Sequence, residues 1–180
     1  DRYGHLPPDE AEVIVALGGD GFMLSTLHAT MDLPAPVYGM NRGTVGFLMN
    51  DWSPEGVADR LAAATSHEIH PLRVHCNQRD GGTGTLLGIN EISAIRTSAQ
   101  SANLQISVDG RVEMEKLVCD GLLVATPAGS TAYNLSAGGP ICQSDVPCLL
   151  VAPICPHSLG MRPLIVSQGT RIELLSPGPA

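Results

Sequence analysis

A buried strand that runs into a glycine turn and out into a helix constrains this chain more than any other feature. The apolar run Val13 to Leu17 stops at Gly18-Gly19-Asp20-Gly21 and gives way to Phe22, Leu24 and Leu27 at helical spacing. Two glycines ahead of the aspartate let backbone approach a bulky anion, and the helix behind them turns its free N–H groups and positive dipole end to the same place. Gly18 and Gly19 are therefore candidate phosphate-contacting positions. Asp20 stands at the carboxyl end of a parallel strand, where ligands sit in open α/β sheets. A carboxylate repels phosphate unless a metal or a proton transfer intervenes, so Asp20 reads as a base or a metal-side group. The four residues alone read equally well as a tight turn with a solvated aspartate, and it is the flanking strand and helix that favour the ligand reading. The pattern is neither GxGxxG nor a Walker loop.

The 180 residues are 43% hydrophobic, enough for one large core or two small ones, and the formal net charge is −8. An acidic chain without a basic cluster is a poor partner for nucleic acid or an anionic membrane. No apolar run approaches the roughly 20 residues of a membrane span, and DRYGHLPPDE has no signal-peptide pattern, which together predict a cytoplasmic protein. Five cysteines without a CxxC pair read as reduced, small apolar residues. His67, His70, His75 and Cys76 match no zinc spacing, so no protein metal site is predicted.

In chain order, Asp1 to Glu12 is polar and aperiodic, and a first strand only at Val13 implies that an earlier strand and helix precede it. After the loop DLPAP, Val37 to Met40 completes a strand-helix-strand unit with its two strands parallel. NRGTVG, Asn41 to Gly46, is a second glycine loop, in which Arg42 reads equally as a phosphate ligand or a solvated side chain. Ser53-Pro54-Glu55 predicts a helix start, with Val57, Leu61 and Ala64 on its buried face and an end near His67. Pro71 marks the boundary between an α/β domain, residues 1–70, and a β-rich domain, residues 71–180.

Beyond Pro71 the period becomes alternating. Leu72, Val74 and Cys76 form one strand, Asp80-Gly81-Gly82 a turn, and Leu86 to Ile95 a returning strand; Leu104, Ile106 and Val108 lead to a hairpin turn at Asp109-Gly110. These hairpins predict an antiparallel, sandwich-like domain. Two stretches break its alternation. Asn90 and Glu91 are polar neighbours in an apolar strand, suited to an adenine edge and ribose hydroxyls, or else a plain edge-strand pair. In DGLLVATPAGSTAYNLSAGG, Asp120 to Gly139, a buried strand, Leu122 to Ala125, meets a hydroxyl-rich turn, Thr126 to Thr131. A helix from Ala132 to Ala137 then ends at Gly138-Gly139-Pro140. Tyr133 is a platform for a stacked base or a core tyrosine.

GGDG after a buried strand, GMNRGTVGFL after the next, NE in the β domain and DGLLVATPAGSTAYNLSAGGP, in that order, resemble the bacterial NAD kinase family over roughly Val13 to Val166. GGDG alone is shared with lipid kinases and phosphofructokinase-like enzymes, and the later block separates them. The resemblance implies transfer of the γ-phosphate of ATP, or of polyphosphate, to the 2′-hydroxyl of the adenosine ribose of NAD. It implies Asp20 as proton acceptor with Gly21 beside it. Asn90, Glu91, Asp120, Ala128, Thr131, Ala132, Tyr133, Asn134, Leu135 and Ser136 would hold NAD, and Mg²⁺ would bridge the ATP phosphates. It further implies a homodimer or tetramer in which a neighbouring subunit completes the NAD site, with Asp120 serving the partner, and more β-structure after Ala180. The competing readings are a lipid or sugar kinase with a large apolar pocket, and an NAD-binding module without turnover.

Overall fold

A computed structural model describes residues 6–43, 46–158 and 160–176. Asp1 to His5 of the polar opening, and Thr44 and Val45 of the second glycine loop, lie outside the described residues. The chain divides into two compact units, Asp1–His67 and Glu68–Ala180.

In the first unit, β1 (Ile14–Gly18) leads through Gly19 into α1 (Asp20–Thr30) and back to β2 (Val37–Asn41). The two strands pair in parallel from Ile14 opposite Val37 to Gly18 opposite Asn41. Ala16 and Met40 are buried in this sheet, and Met23 of α1 is buried with its sulfur beside Gly39. The helix presents a different face from the one its sequence predicts. Phe22 is exposed, Leu24 and Leu27 are half-buried, and the covered positions are Met23 and Thr30, because α1 crosses only two narrow strands. A second departure is α2 (Val57–Ala62), shorter than predicted and capped by Gly56 in the left-handed region at φ 61°. The Ser53 hydroxyl accepts the Glu55 N–H at 3.2 Å in a local turn, and the helix begins only after the left-handed Gly56.

The second unit is antiparallel throughout its described strands. A hairpin of β3 (Leu72–Asn77) and β4 (Thr83–Gly88) stands as its own two-stranded sheet. Strands β5 (Glu91–Ile95), β8 (Gly121–Ala125), β9 (Cys148–Ile154) and β10 (Leu164–Ser167) form a four-stranded sheet in the order β10-β9-β8-β5. Strands β6 (Ala102–Val108), β7 (Arg111–Cys119) and β11 (Ile172–Leu175) form a three-stranded sheet in the order β11-β6-β7. Asp109 and Gly110, at φ 49° and 79°, make the two-residue turn between β6 and β7 that their sequence predicts.

Two cores fix the middle of this unit. Leu104, Ile106, Leu117 and Cys119 of the three-stranded sheet meet Leu122 and Val151 of the four-stranded one. On the opposite face of β8 and β9, Leu123, Ala125, Leu150, Ala152 and Ile154 are covered in part by Ala137 and Cys142. All seven residues of β9 are buried, as expected of a central strand covered on both faces. The segment after β8 is thereby laid across the sheet face. That segment is a 3-10 turn, Ala128–Thr131, and a single helical turn, α3 (Tyr133–Ser136), closed by Gly138 at φ 78°.

The returning strand predicted over Leu86 to Ile95 is two strands. β4 pairs with β3, β5 pairs with β8, and the chain bends at Ile89 and Asn90 between them. Space forces the bend to stay glycine at one point: a Cβ on Gly88 would lie 2.7 Å from the carbonyl oxygen of Glu91.

Truncating Leu150, which is fully buried in β9, should destabilise the chain by about 2–5 kcal/mol in urea unfolding. Ile165→Ala, at a position 60% exposed, should change stability by no more than about 0.5 kcal/mol.

Candidate active site

Each unit carries one cluster of the predicted residues. In the first, Asp20 occupies the first position of α1 with Gly19 as its N-cap. Its carboxylate is fixed from the loop after β2: Oδ2 accepts the Phe47 N–H at 2.9 Å and Oδ1 the Leu48 N–H at 3.1 Å. The Arg42 N–H donates to the Gly18 carbonyl at 2.8 Å, which ties the same loop to the end of β1. Gly46 has to be small here, since a Cβ would stand 2.9 Å from Met49 Cγ and 3.2 Å from Asp20 Oδ1. Gly18 also has a packing reason, a Cβ lying 2.8 Å from Phe22 Cβ. Gly19 and Gly21 have none: a Cβ on either meets no described atom within 4 Å, and neither takes a positive φ. Arg42 stacks its guanidinium 4.5 Å from the centre of the Trp52 ring.

The second cluster is built on the bend at Asn90. Thr126, buried at the end of β8, donates its hydroxyl to the Ile89 carbonyl at 2.7 Å and its N–H to the Asn90 carbonyl at 2.8 Å. Gly129 lies so close that a Cβ would stand 2.2 Å from the Asn90 carbonyl oxygen. Thr126, Gly129 and the bend therefore form one backbone-to-backbone contact that no larger side chain can enter. On it, Asn90 Oδ1 and Glu91 Oε2 are buried without a hydrogen-bond partner among the described residues. An orphaned buried acceptor costs about 1–3 kcal/mol, which a donor on a ligand would recover. Burial also pushes the Glu91 carboxyl above its ordinary range.

The 3-10 turn that carries Ala128 and Thr131 packs on this bend through Gly129, and Ala132, Tyr133, Leu135 and Ser136 follow on α3 and its N-cap. Tyr133 and Leu135 are exposed on α3. Asn134 is different, being fully buried. Its Nδ2 donates to the carbonyls of Ser130 at 3.1 Å and Pro140 at 2.8 Å, and Gly139 has no room for a Cβ beside its Oδ1. In this position Asn134 ties the turn to the Gly-Gly-Pro segment.

Asp120 is not part of the cluster. Glu91 pairs with Ala125 and Ile95 with Gly121, so Asp120 lies just beyond the other end of β8, about 17 Å along the strands. There it accepts a hydrogen bond from Arg96 Nε at 2.6 Å, and this bond holds the Asp120 carboxyl below the usual carboxylate range. Arg96, Thr126, Phe47 and Leu48 escape sequence reasoning. Two of them act only through backbone N–H groups, and the Arg96 pairing spans 24 residues with no local pattern.

Among the described residues no three His, Cys, Asp or Glu side chains group as a metal site, and no helix is long and apolar enough to cross a membrane.

A parallel strand-GGDG-helix unit followed by an antiparallel β unit with a hydroxyl-rich turn defines a two-part α/β and β architecture. The ATP-NAD kinase N-terminal domain model matches residues 5–69 and the ATP-NAD kinase C-terminal domain model residues 89–178. The chain belongs to the NAD kinase family. It is 56% identical to a NAD kinase of Hyphomonas neptunium over 86% of this chain and 60% of that protein. It is 52% identical to one of Mesorhizobium japonicum over 98% of this chain and 70% of the other. Yeast NADH kinase complexed with NADH superposes with a TM-score of 0.81 at 34% identity, over 92% of this chain and 50% of that one. An Archaeoglobus fulgidus NAD kinase in complex with ATP does so at 0.73 and 33%, over 93% and 66%. The chain thus spans about 60% of the length of the first curated relatives it matches.

The Arg96–Asp120 pair sets an acid-side dependence. Because the folded carboxyl titrates below its unfolded value near 3.9, the stabilisation is complete above that value and is lost as pH falls through the folded one. Carbon-detected titration should show Asp120 below the ordinary aspartate range, and Arg96→Met should return it there.

Proposed function

We propose that this chain phosphorylates NAD at the 2′-hydroxyl of its adenosine ribose, with ATP or polyphosphate as donor, to give NADP. Family membership and the relatives' names support the reaction, as do the NADH and ATP complexes of the two similar structures. The observation that carries it in this chain is the setting of Asp20. Two glycines at which a Cβ would meet no described atom flank a carboxylate whose orientation is fixed by two backbone amides. Open space over Gly19 and Gly21 suits the close approach of a phosphorylated ligand.

In this reading a carboxylate oxygen of Asp20 takes the proton of the 2′-hydroxyl as that oxygen attacks the γ-phosphorus and the bond to the leaving phosphate breaks. Each Asp20 oxygen spends one lone pair on an amide and keeps another for that proton. Gly18 and Gly19 offer backbone beside the phosphates. Asn90 Oδ1 and Glu91 Oε2 accept from the adenine amine and ribose hydroxyls, Tyr133 offers a stacking face, and Ala128, Thr131, Ala132, Leu135 and Ser136 line the dinucleotide. Asn134 supports that wall from within.

A divalent cation, Mg²⁺ by its chemistry, fits a site with one carboxylate, because Mg²⁺ keeps several waters and is held largely by substrate phosphates. Asp20 keeps a lone pair for it on the oxygen that does not take the proton, and the ion would supply charge neutralisation on the donor phosphates. The reading includes a homodimer or tetramer. The separation of Asp120 from the Asn90 cluster suits a residue that serves the neighbouring subunit's NAD. It also places the enzyme in the cytoplasm, where both substrates are held.

Asp20→Asn keeps shape and removes the base, so NADP formation with NAD, ATP and Mg²⁺ should fall by about 10²-fold or more in kcat while NAD binding persists. A coupled NADP-specific dehydrogenase reads the rate and calorimetry the binding. Near-normal turnover of the variant would refute the base assignment, and NAD binding without NADP from the parent would identify a binding module.

A further inference from the structure

All five cysteines are free, and two of them meet: the sulfurs of Cys142 and Cys148 are 4.0 Å apart. Cys148 opens β9 and is 5% exposed, whereas Cys142 is half-buried in the loop ahead of it. Between them, residues 143–147 are exposed and outside regular structure, so this short loop can adjust while β9 stays fixed. A disulfide needs its sulfurs about 2 Å apart, which asks the loop to move by about the same amount.

The loop is tied to the candidate dinucleotide cluster. The Cys142 carbonyl accepts the Ser130 hydroxyl at 3.1 Å, and the Pro140 carbonyl accepts Asn134 Nδ2. Drawing Cys142 toward β9 pulls its carbonyl off Ser130, in the turn that packs against Asn90.

We propose that Cys142 and Cys148 form an oxidative modification site, which a peroxide closes into a reversible disulfide that loosens the Thr126 to Ser136 turn and weakens dinucleotide binding. Sγ of Cys142, the less buried of the two residues, attacks the peroxide O–O bond, giving a sulfenic acid and water. Cys148 Sγ then displaces hydroxide from that sulfur, forming the S–S bond and giving up its own proton, and a second water leaves. Two thiols are oxidised by two electrons in total and one peroxide is reduced to two waters. Burial and the neighbouring Cys142 push the Cys148 thiol up to about 11, so it acts second, once an electrophilic sulfur lies beside it. Disulfides of intracellular proteins are characteristically transient and redox-sensing. The disulfide itself is independent of the proposed function, and its effect on binding rests on that reading.

The test treats the full chain with hydrogen peroxide, alkylates it and digests it with a protease that cuts before Asp145, separating Cys142 from Cys148. Mass spectrometry should find the two fragments linked and dithiothreitol should release them. Cys148→Ser should abolish the link and Cys155→Ser preserve it. Calorimetry should show NAD affinity of the oxidised chain reduced by about three- to tenfold, the equivalent of one lost hydrogen bond, restored by reductant and unmoved by peroxide in Cys148→Ser. Oxidation of Cys142 to sulfinic acid with no linked fragments overturns the site. A link with unchanged affinity overturns the coupling. Failure of the reduced chain to bind NAD removes the coupling together with the proposed function, while the site is still decided by the linked fragments.

Discussion

Thr126 grips the backbone of the preceding bend with two donors, and the β unit's candidate site depends on that grip. The hydroxyl holds the Ile89 carbonyl and the N–H holds the Asn90 carbonyl. Without them the apolar segment from Leu86 to Ile95 would run on as one strand and place Asn90 and Glu91 on opposite faces. With them, the pairing changes from β3 at Gly88 to β8 at Glu91. Two acceptors are left buried and unmatched at the corner. Gly129 seals the contact, and the same loop continues over Leu123, Ala125 and Leu150 as the cover of a second core. Packing and site are thus one construction: the loop that completes the hydrophobic face also fixes the polar corner.

The two candidate carboxylates are handled differently. Asp20 is oriented by two amides at a helix start, a setting that holds a base still. Glu91 is half-buried beside an orphaned amide oxygen, and its burial opposes ionisation until a donor arrives. A group that waits for a donor suits recognition, and one held by backbone while keeping free lone pairs suits proton transfer.

Much of this was legible in the sequence because it is carried by local chemistry. GGDG between a strand and a helix, the Asp109-Gly110 turn and the Gly138 stop each need only a few neighbouring residues to be read, and each is found where it was expected. What was not legible depends on distant partners. The exposed side of Phe22 follows from how little sheet α1 covers, and the bend at Asn90 follows from a threonine 36 residues later. Asn134 looks like its neighbours in sequence, and its burial and its bonds to Ser130 and Pro140 set it apart. The helix expected from Ser53 begins only at Val57, because Gly56 in the left-handed region interrupts the turn that Ser53 starts.

The central claim is that a phosphoryl group reaches one particular hydroxyl. Proton-detected phosphorus NMR of the product formed from NAD, ATP and Mg²⁺ tests it most directly. The account predicts a new monoester phosphorus coupled to the 2′ proton of the adenosine ribose. A phosphate on any other oxygen, or transfer to water alone from a chain that binds NAD, would contradict it.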